Sequence, residues 1–262
     1  MKIAAFNVKT FGEKKVNDEF VRRNLIKIVS RYSVVVMLEV RDKSGEAMKK
    51  FLVELNKTRV NICCPFAMVS SKPLGRGNHM EQFVFFYRKN EVKKLNFHQY
   101  KEKTKDVLAR EPFVLQLECR GTAVEKLVLI PVHSKPQDAK IELDALGDVV
   151  ENVRARWRND NIMILGDFNA DGRYLSQRRR ENVSIASSSY TWLIADDVDT
   201  TTSNSNSHTY DRIVVFGQHM ANAVVPGSAT SFNFQAAYGL SDDQAKAISD
   251  HYPVEVELKK RI

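Results

Sequence analysis

Ile162-Met163-Ile164-Leu165-Gly166-Asp167-Phe168-Asn169 is an apolar run that stops on a glycine and then turns polar. A short, continuous apolar run bounded by a turn signal fits a strand covered on both faces. Three other stretches share this form. Ile3-Ala4-Ala5-Phe6 runs into Asn7, Val34-Val35-Val36-Met37-Leu38 into Glu39, and Leu127-Val128-Leu129-Ile130-Pro131-Val132 into His133. In packed sheets, residues at like ends of strands gather at one rim. Asn7, Glu39, His133, Asp167 and Asn169 would then line one mouth. Hard oxygen donors of this kind suit Mg²⁺ or Mn²⁺, which keep waters and bind substrate phosphates.

Working outward, the pattern alternates. Residues 17–31 and 44–56 carry apolar stripes at helical spacing, and 138–156 reads as a long amphipathic helix. Residues 83–88, 92–97, 113–118, 211–216 and 254–258 read as further strands, with a short helix over 241–248. Many strands and few long helices predict an α/β fold of two sheets packed face to face with helices outside. No linker or repeat divides the chain, so residues 1–262 are expected to form a single domain. Residues 200–209 are a loop rich in Thr, Ser and Asn, expected to be disordered or shaped by a ligand.

The chain has 262 residues, 27% of them charged, and a formal net charge of +8. That charge fits either solubility or a polyanionic partner drawn by field and counterion release. No apolar run approaches the ~20 residues of a membrane helix, so no membrane partner is expected. The opening Met1-Lys2-Ile3-Ala4-Ala5-Phe6-Asn7 is too short and polar for a secretory leader. It reads as a strand, either of a chain made without a leader or of a mature form given an initiator Met. Cys63, Cys64 and Cys119 form a poor disulfide framework. All three lie in apolar, strand-like stretches and are expected to be buried free thiols. That favours a cytoplasmic or nuclear location, with secretion as the alternative.

Each polar residue also admits a structural role. Glu39 fits a strand end, Asp167 with Asn169 an Asx-turn, His133 a satisfied buried histidine, and Asp250-His251 a plain connection. Taken in order, however, seven pieces resemble the deoxyribonuclease I family within the endonuclease/exonuclease/phosphatase superfamily. They are Lys2-Ile3-Ala4-Ala5-Phe6-Asn7, Glu39-Val40-Arg41-Asp42, Pro73-Leu74-Gly75-Arg76, Arg110-Glu111-Pro112, Gly166-Asp167-Phe168-Asn169-Ala170, Tyr210-Asp211-Arg212-Ile213-Val214 and Ser249-Asp250-His251-Tyr252-Pro253-Val254-Glu255.

The resemblance implies a four-layer α/β/β/α sandwich of mostly antiparallel sheets. It implies metal-dependent endonuclease activity on DNA phosphodiesters with little sequence preference, leaving 5′-phosphates. His251 with Asp211 would activate water, and His133 with Glu81 would protonate the leaving 3′ oxygen. Glu39, with Asn7 and Asp250, would cradle Mg²⁺ or Mn²⁺. Asp167 and Asn169 would hold the scissile phosphate or a second metal. Arg41, Arg110 and His79 would contact the backbone and minor groove of double-stranded DNA, with the protein acting as a monomer. A Ca²⁺ site would survive through Asp199, Thr201 and Asn206. The same chemistry on another phosphodiester, and a non-catalytic nucleic-acid-binding protein, are the competing readings.

The chain also departs from the family. Gly172 and His208 stand where it has a disulfide, which leaves open how the 200–209 loop is held. Asp106 matches part of a second Ca²⁺ site, but Lys101, Lys103 and Lys105 replace its acidic neighbours. Ser70 and Phe113 replace the small apolar patch through which actin inhibits the prototype, so actin binding is expected to be weak or absent. Arg178-Arg179-Arg180 fits a solvated helix face or an added phosphate-binding strip.

Overall fold

The apolar strands carry two sets of side chains, because successive residues of a strand point to opposite faces. In the computed structural model, which describes residues 1–77, 80–102, 106–205 and 207–261, the two sets enter different cores. Ile3, Ala5, Val36 and Leu38 pack between two sheets with Phe85, Leu115, Leu129, Leu165, Ile213 and Val256. Ala4, Phe6, Val35 and Met37, on the opposite face, pack beneath helices with Leu25, Ile28, Phe51 and Phe86. A strand buried on both sides has no position for alternating polar residues. That is why Val34–Leu38 reads as a continuous apolar run. Each such side chain contributes about 1.5–3 kcal/mol on full burial.

The first sheet contains β1 (Lys2–Phe11), β2 (Val34–Val40), β3 (Phe66–Ser70), β4 (Gln82–Arg88), β11 (Thr230–Ser231) and β12 (Val254–Glu257). Its order is β11-β12-β1-β2-β4-β3. The second contains β5 (Val92–Gln99), β6 (Phe113–Cys119), β7 (Lys126–His133), β8 (Ile162–Asp167), β9 (Tyr190–Trp192) and β10 (Asp211–Phe216). Its order is β5-β6-β7-β8-β10-β9. Both six-stranded sheets are mixed: β1–β2 and β7–β8 are parallel, and the other pairings are antiparallel. Over the first sheet lie α1 (Glu13–Asn17), α2 (Glu19–Val29), α3 (Glu46–Lys57) and α4 (Arg59–Ile62). Over the second lies α5 (Ala139–Trp157), whose Leu143, Leu146 and Val150 cover Val128, Ile130 and Ile164. Shorter helices are α6 (Gln177–Arg180), α7 (Gly217–Ala223), α8 (Phe234–Tyr238) and α9 (Asp242–Ile248). The expected α/β/β/α layering is therefore observed.

Several expectations need correction. The helix read over 17–31 is α2, shorter at both ends, and a separate turn, α1, precedes it. Asp18 then caps α2 by accepting from the Val21 amide at 2.9 Å. Only Cys119 is buried in a strand. Cys63 is exposed and Cys64 half-buried, just past the end of α4. Among its described residues the 200–209 loop is partly buried. Thr200, Thr201, Thr202 and Thr209 are buried, and their bonds go to the protein's own backbone and to the Asp199 and Asp171 carboxylates. The loop is tied to the segment after β8 without a disulfide. Asp171 Oδ2 accepts from the Thr209 amide at 2.9 Å and lies 3.3 Å from His208 Nδ1. The His208 ring also stacks on Tyr210, with centroids 4.8 Å apart. The arginine run divides. Arg180 pairs with Asp196 and lies over Trp192, while Arg178 and Arg179 are exposed.

Candidate active site

Strand register brings the chemistry together. His133 pairs with Asp167 across the parallel β7–β8 ladder, and Asp167 pairs with Asp211 across β8–β10. Three chemical residues thus sit in one row at one sheet end. Gly166 permits this. Its φ is +143°, and a Cβ there would lie 2.0 Å from the Val132 carbonyl oxygen, so no side chain fits beside β7. Asn7 and Glu39 face this row from the first sheet. The β1–β2 register shifts between Asn7 and Phe11, and Lys9, Thr10 and Glu39 all adopt positive φ. Such a bulge re-aims side chains. Glu39 is held by Asn7 Nδ2 at 3.0 Å and by the Thr10 amide at 3.1 Å.

Two histidines approach one carboxylate from two sides. His251 Nδ1 donates to Asp211 Oδ2 at 2.7 Å, and His133 Nδ1 donates to Glu81 Oε2 at 2.8 Å. Each imidazole is thereby oriented through one nitrogen, leaving Nε2 for chemistry. Both Nε2 atoms lie 3.8 Å from the same atom, Asp167 Oδ2. Asn7 Nδ2 donates to that oxygen at 3.1 Å. Arg110 braces the His133 side, with Nε 2.7 Å from Glu81 Oε2 and Nη1 donating to the His133 carbonyl at 3.3 Å. Arg41 Nη2 lies 3.5 Å from Glu81 Oε1. Arg41 is not paired with Asp42, which instead accepts from the Met48 amide in α3.

The electrostatics follow from this crowding. Burial disfavours the charged form of His251, yet Asp211, Asp167 and Asp250 override it and lift the ring to about 10. Burial pushes Asp211 up to about 6, opposed by His251. Burial also resists ionisation of Glu81, but His133 and Arg110 outweigh it and hold its carboxyl at about 2, against an ordinary 4.5. A carboxyl depressed in the folded state contributes stability that is complete above its unfolded value. The contribution is lost as pH falls through the folded value. The difference corresponds to about 3 kcal/mol for this buried group. Urea unfolding followed from pH 5 to pH 2 should therefore show wild type losing stability on that scale, and Glu81→Gln losing clearly less. Superimposable profiles would remove this role for Glu81.

The donor chemistry fits a hard divalent cation. Glu39, Asp167 and Asp250 bring carboxylate oxygens to one mouth. Ligand atoms of Asp167, Asp211 and His251 lie within 4.8 Å of one another. Asn7 meets the carboxylates through Nδ2, while its Oδ1 accepts from the Lys9 amide. It therefore spaces Glu39 and Asp167 as a donor. Asp250 Oδ2 is paired with Lys9 Nζ at 2.7 Å. Asn169, in a left-handed conformation, donates its amide to Asp167 Oδ1 and its Nδ2 to the Ser134 carbonyl. The Asx-turn is thus present alongside the site. Asp199 and Thr201 are in contact through Oδ1 and Oγ1 at 2.8 Å, but Asn206 and His79 lie outside the described residues. Asp106 is exposed and paired with Arg76.

The sequence reading missed the residues that hold the His251–Asp211 pair. Thr200 Oγ1 accepts from the Tyr210 and Asp211 amides, and the Thr200 carbonyl accepts from the Tyr252 amide. Thr202 bonds to the Asp250 and Ser249 carbonyls. Ser249 Oγ joins this end to β1 through the Asn7 carbonyl. Lys15 does the same through the Val8 and Ile248 carbonyls. Burial lowers its amine to about 8, against the pull of Asp250 and Glu39. Arg212, fully buried beside Asp211, bonds to the Thr209, Ile194 and Ala170 carbonyls and to Asp196. The hints in the sequence were a polar loop of unusual composition and the presence of Arg212 and Ser249 in two of the family-like pieces.

Two sheets, two carboxylate-oriented histidines and a shared acidic mouth define a class. Residues 4–251 match the Endonuclease/Exonuclease/phosphatase family, and the chain belongs to it. Within that family its relatives are deoxyribonuclease I-like hydrolases. It is 42% identical to Deoxyribonuclease-1 of Bos taurus, over 98% of this chain and 92% of the relative. It is 41% identical to Deoxyribonuclease-1 of Homo sapiens, over 99% and 92%. The human Nocturnin catalytic domain with bound sulfate shares the fold at a TM-score of 0.66 and 15% identity, covering 100% of this chain and 94% of that one.

Proposed function

We propose that the protein is a divalent-metal-dependent endonuclease that hydrolyses DNA phosphodiester bonds with little sequence preference and leaves 5′-phosphate ends. The observation that carries this reading is the approach of His133 Nε2 and His251 Nε2, both at 3.8 Å, to the single oxygen Asp167 Oδ2. Two proton-transfer groups thus stand either side of the place a scissile phosphate would take. His251, oriented by Asp211, accepts a proton from water as its oxygen bonds to phosphorus. The bond from phosphorus to the 3′ oxygen breaks, and His133, oriented by Glu81, donates a proton to that oxygen. The products are a 5′-phosphate and a 3′-hydroxyl. Glu39, Asp250 and Asp167, spaced by Asn7, would hold Mg²⁺ or Mn²⁺, which supplies charge stabilisation for the phosphoryl oxygens. Neutralising Asp167 and Asp250 also removes two of the three fields that keep His251 protonated. Asn169 fixes the Asp167 turn beside the phosphate. Arg41 and Arg110 flank Glu81, and with His79 they contact backbone and minor groove.

The +8 charge and the similarity to Deoxyribonuclease-1 support DNA over other phosphodiesters. Incubation with supercoiled plasmid in Mg²⁺ tests this reading. Nicked circles whose ends ligate without prior phosphorylation support it. Intact plasmid alongside cleaved RNA or abasic DNA would replace it.

A Ca²⁺ ion at Asp199, Thr201 and Asn206 would stiffen the loop that holds the His251 pair. The 1–262 chain acts as one domain and as a monomer. A cytoplasmic or nuclear location is the reading taken from the odd cysteine count, with secretion as the alternative. No helix among the described residues is long and apolar enough to cross a membrane. Phe113 is buried against Phe85 and Phe97, so it offers actin no small apolar patch. Monomeric actin in molar excess should leave plasmid nicking within about twofold of its rate. Strong inhibition would contradict this.

A further inference from the structure

A cavity of about 300 Å³ opens beside His133, lined by Gly75, Arg76, Ala109, Arg110 and Lys135. Three cations from three separate segments face it, and no lining residue is acidic. The two other lining residues, Gly75 and Ala109, are small and leave the space open. Arg110 forms the fixed wall. It is held by Glu81 and by its bond to the His133 carbonyl, at 3.1 Å and 3.3 Å. Arg76 and Lys135 are adjustable. Arg76 pairs with Asp106 and also donates to its carbonyl at 2.6 Å, Lys135 pairs with Asp138, and all these contacts are solvent-exposed. Exposed pairs contribute little and exchange readily for a stronger anion. Lys135 follows His133 by two residues, so its backbone is fixed by the same strand end, with its amide bonded to Glu142 at 2.9 Å.

We propose that this cavity is a subsite for a backbone phosphate on the leaving-group side of the scissile bond, with Arg76 and Lys135 closing on it. The inference rests on the functional reading above, in which His133 serves the leaving oxygen. Arginine offers a planar fork to phosphate oxygens and lysine a mobile point charge. A contact to an unreacting phosphate is made equally in ground and transition states, so it lowers KM and leaves kcat alone.

The test measures duplex binding by fluorescence anisotropy in EDTA across a salt series, and single-turnover cleavage in Mg²⁺, for wild type, Arg76→Met, Lys135→Met and the double variant. Each replaced cation should make the slope of log K against log[salt] shallower by about 0.9 and weaken binding about fivefold at 0.15 M salt. The loss should fall on KM, and Lys135→Arg should recover most of it. An unchanged salt slope in the double variant, with wild type binding normally, overturns the subsite. If wild type neither binds nor cuts duplex DNA, the functional reading fails instead. The cavity is then judged with inorganic pyrophosphate by calorimetry. Binding lost in the double variant keeps it as an anion site, and equal or absent binding in wild type and variant rejects it.

Discussion

Replacing His251 with Ala is expected to lower the single-turnover rate of DNA cleavage by about 10²–10⁴-fold, the range that general acid–base catalysis contributes. His133→Ala should fall in the same range. The two rings occupy equivalent positions, each oriented by a buried carboxylate and each 3.8 Å from Asp167 Oδ2. The losses should appear in kcat. Duplex affinity measured in EDTA should stay within a few-fold, because neither ring is required to hold an unreacting phosphate. Asp211→Asn should also be strongly impaired, since an amide can present its N–H to the ring and turn the tautomer. Combining both histidine changes should cost less than the product of the single losses, as for groups that act together in one step. Circular dichroism of each variant must match wild type, because His251→Ala leaves Asp211 buried without its partner. A tenfold or smaller loss for both single variants would remove the acid–base scheme.

The second large effect concerns the metal. Chelation by EDTA should abolish nicking, with added Mg²⁺ or Mn²⁺ restoring it. A cation that neutralises developing phosphoryl charge is worth several kcal/mol, or about 10³-fold in rate. Glu39→Gln separates the ligand role from the structural one. The substitution keeps an oxygen to accept from the Thr10 amide and removes the negative charge, at the cost of the bond from Asn7 Nδ2. The Mg²⁺ concentration for half-maximal activity should rise at least about tenfold, with melting temperature lowered by only the few degrees that one lost hydrogen bond costs. Calorimetric titration of Mn²⁺ into the protein without DNA should show the same weakening. Undiminished Mn²⁺ affinity would place the metal elsewhere.

Much of this site was legible in the sequence because apolar strands stop on polar residues. Asn7, Glu39, His133 and Asp167 were each read from a run ending at them, and parallel or antiparallel register then aligned those ends. Pairing was not legible. Glu81 stands 52 residues before His133 and Asp211 stands 40 before His251. Nothing in that spacing joins them, and their assignment came through resemblance. Edge strand β3 was missed because five residues beside Cys64 and Pro65 give too short a pattern. The exposure of Cys63 was missed because an apolar neighbourhood in sequence says nothing about which way a four-residue helix faces. Thr200 and Thr202 were missed for a deeper reason. Polar residues signal solvent only when their partners are water. Here the partners are backbone groups of the catalytic segment, brought close by folding alone.

Cleavage of DNA by two histidines facing one carboxylate in an acidic mouth is the mechanism proposed for this site. It is tested most directly by single-turnover nicking of supercoiled plasmid in Mg²⁺, run together on wild type, His133→Ala and His251→Ala. Rapid nicking by wild type and at least a hundredfold loss in each folded variant are expected. Wild type that leaves the plasmid intact, or variants that both nick within tenfold of it, would contradict cleavage by this pair of histidines.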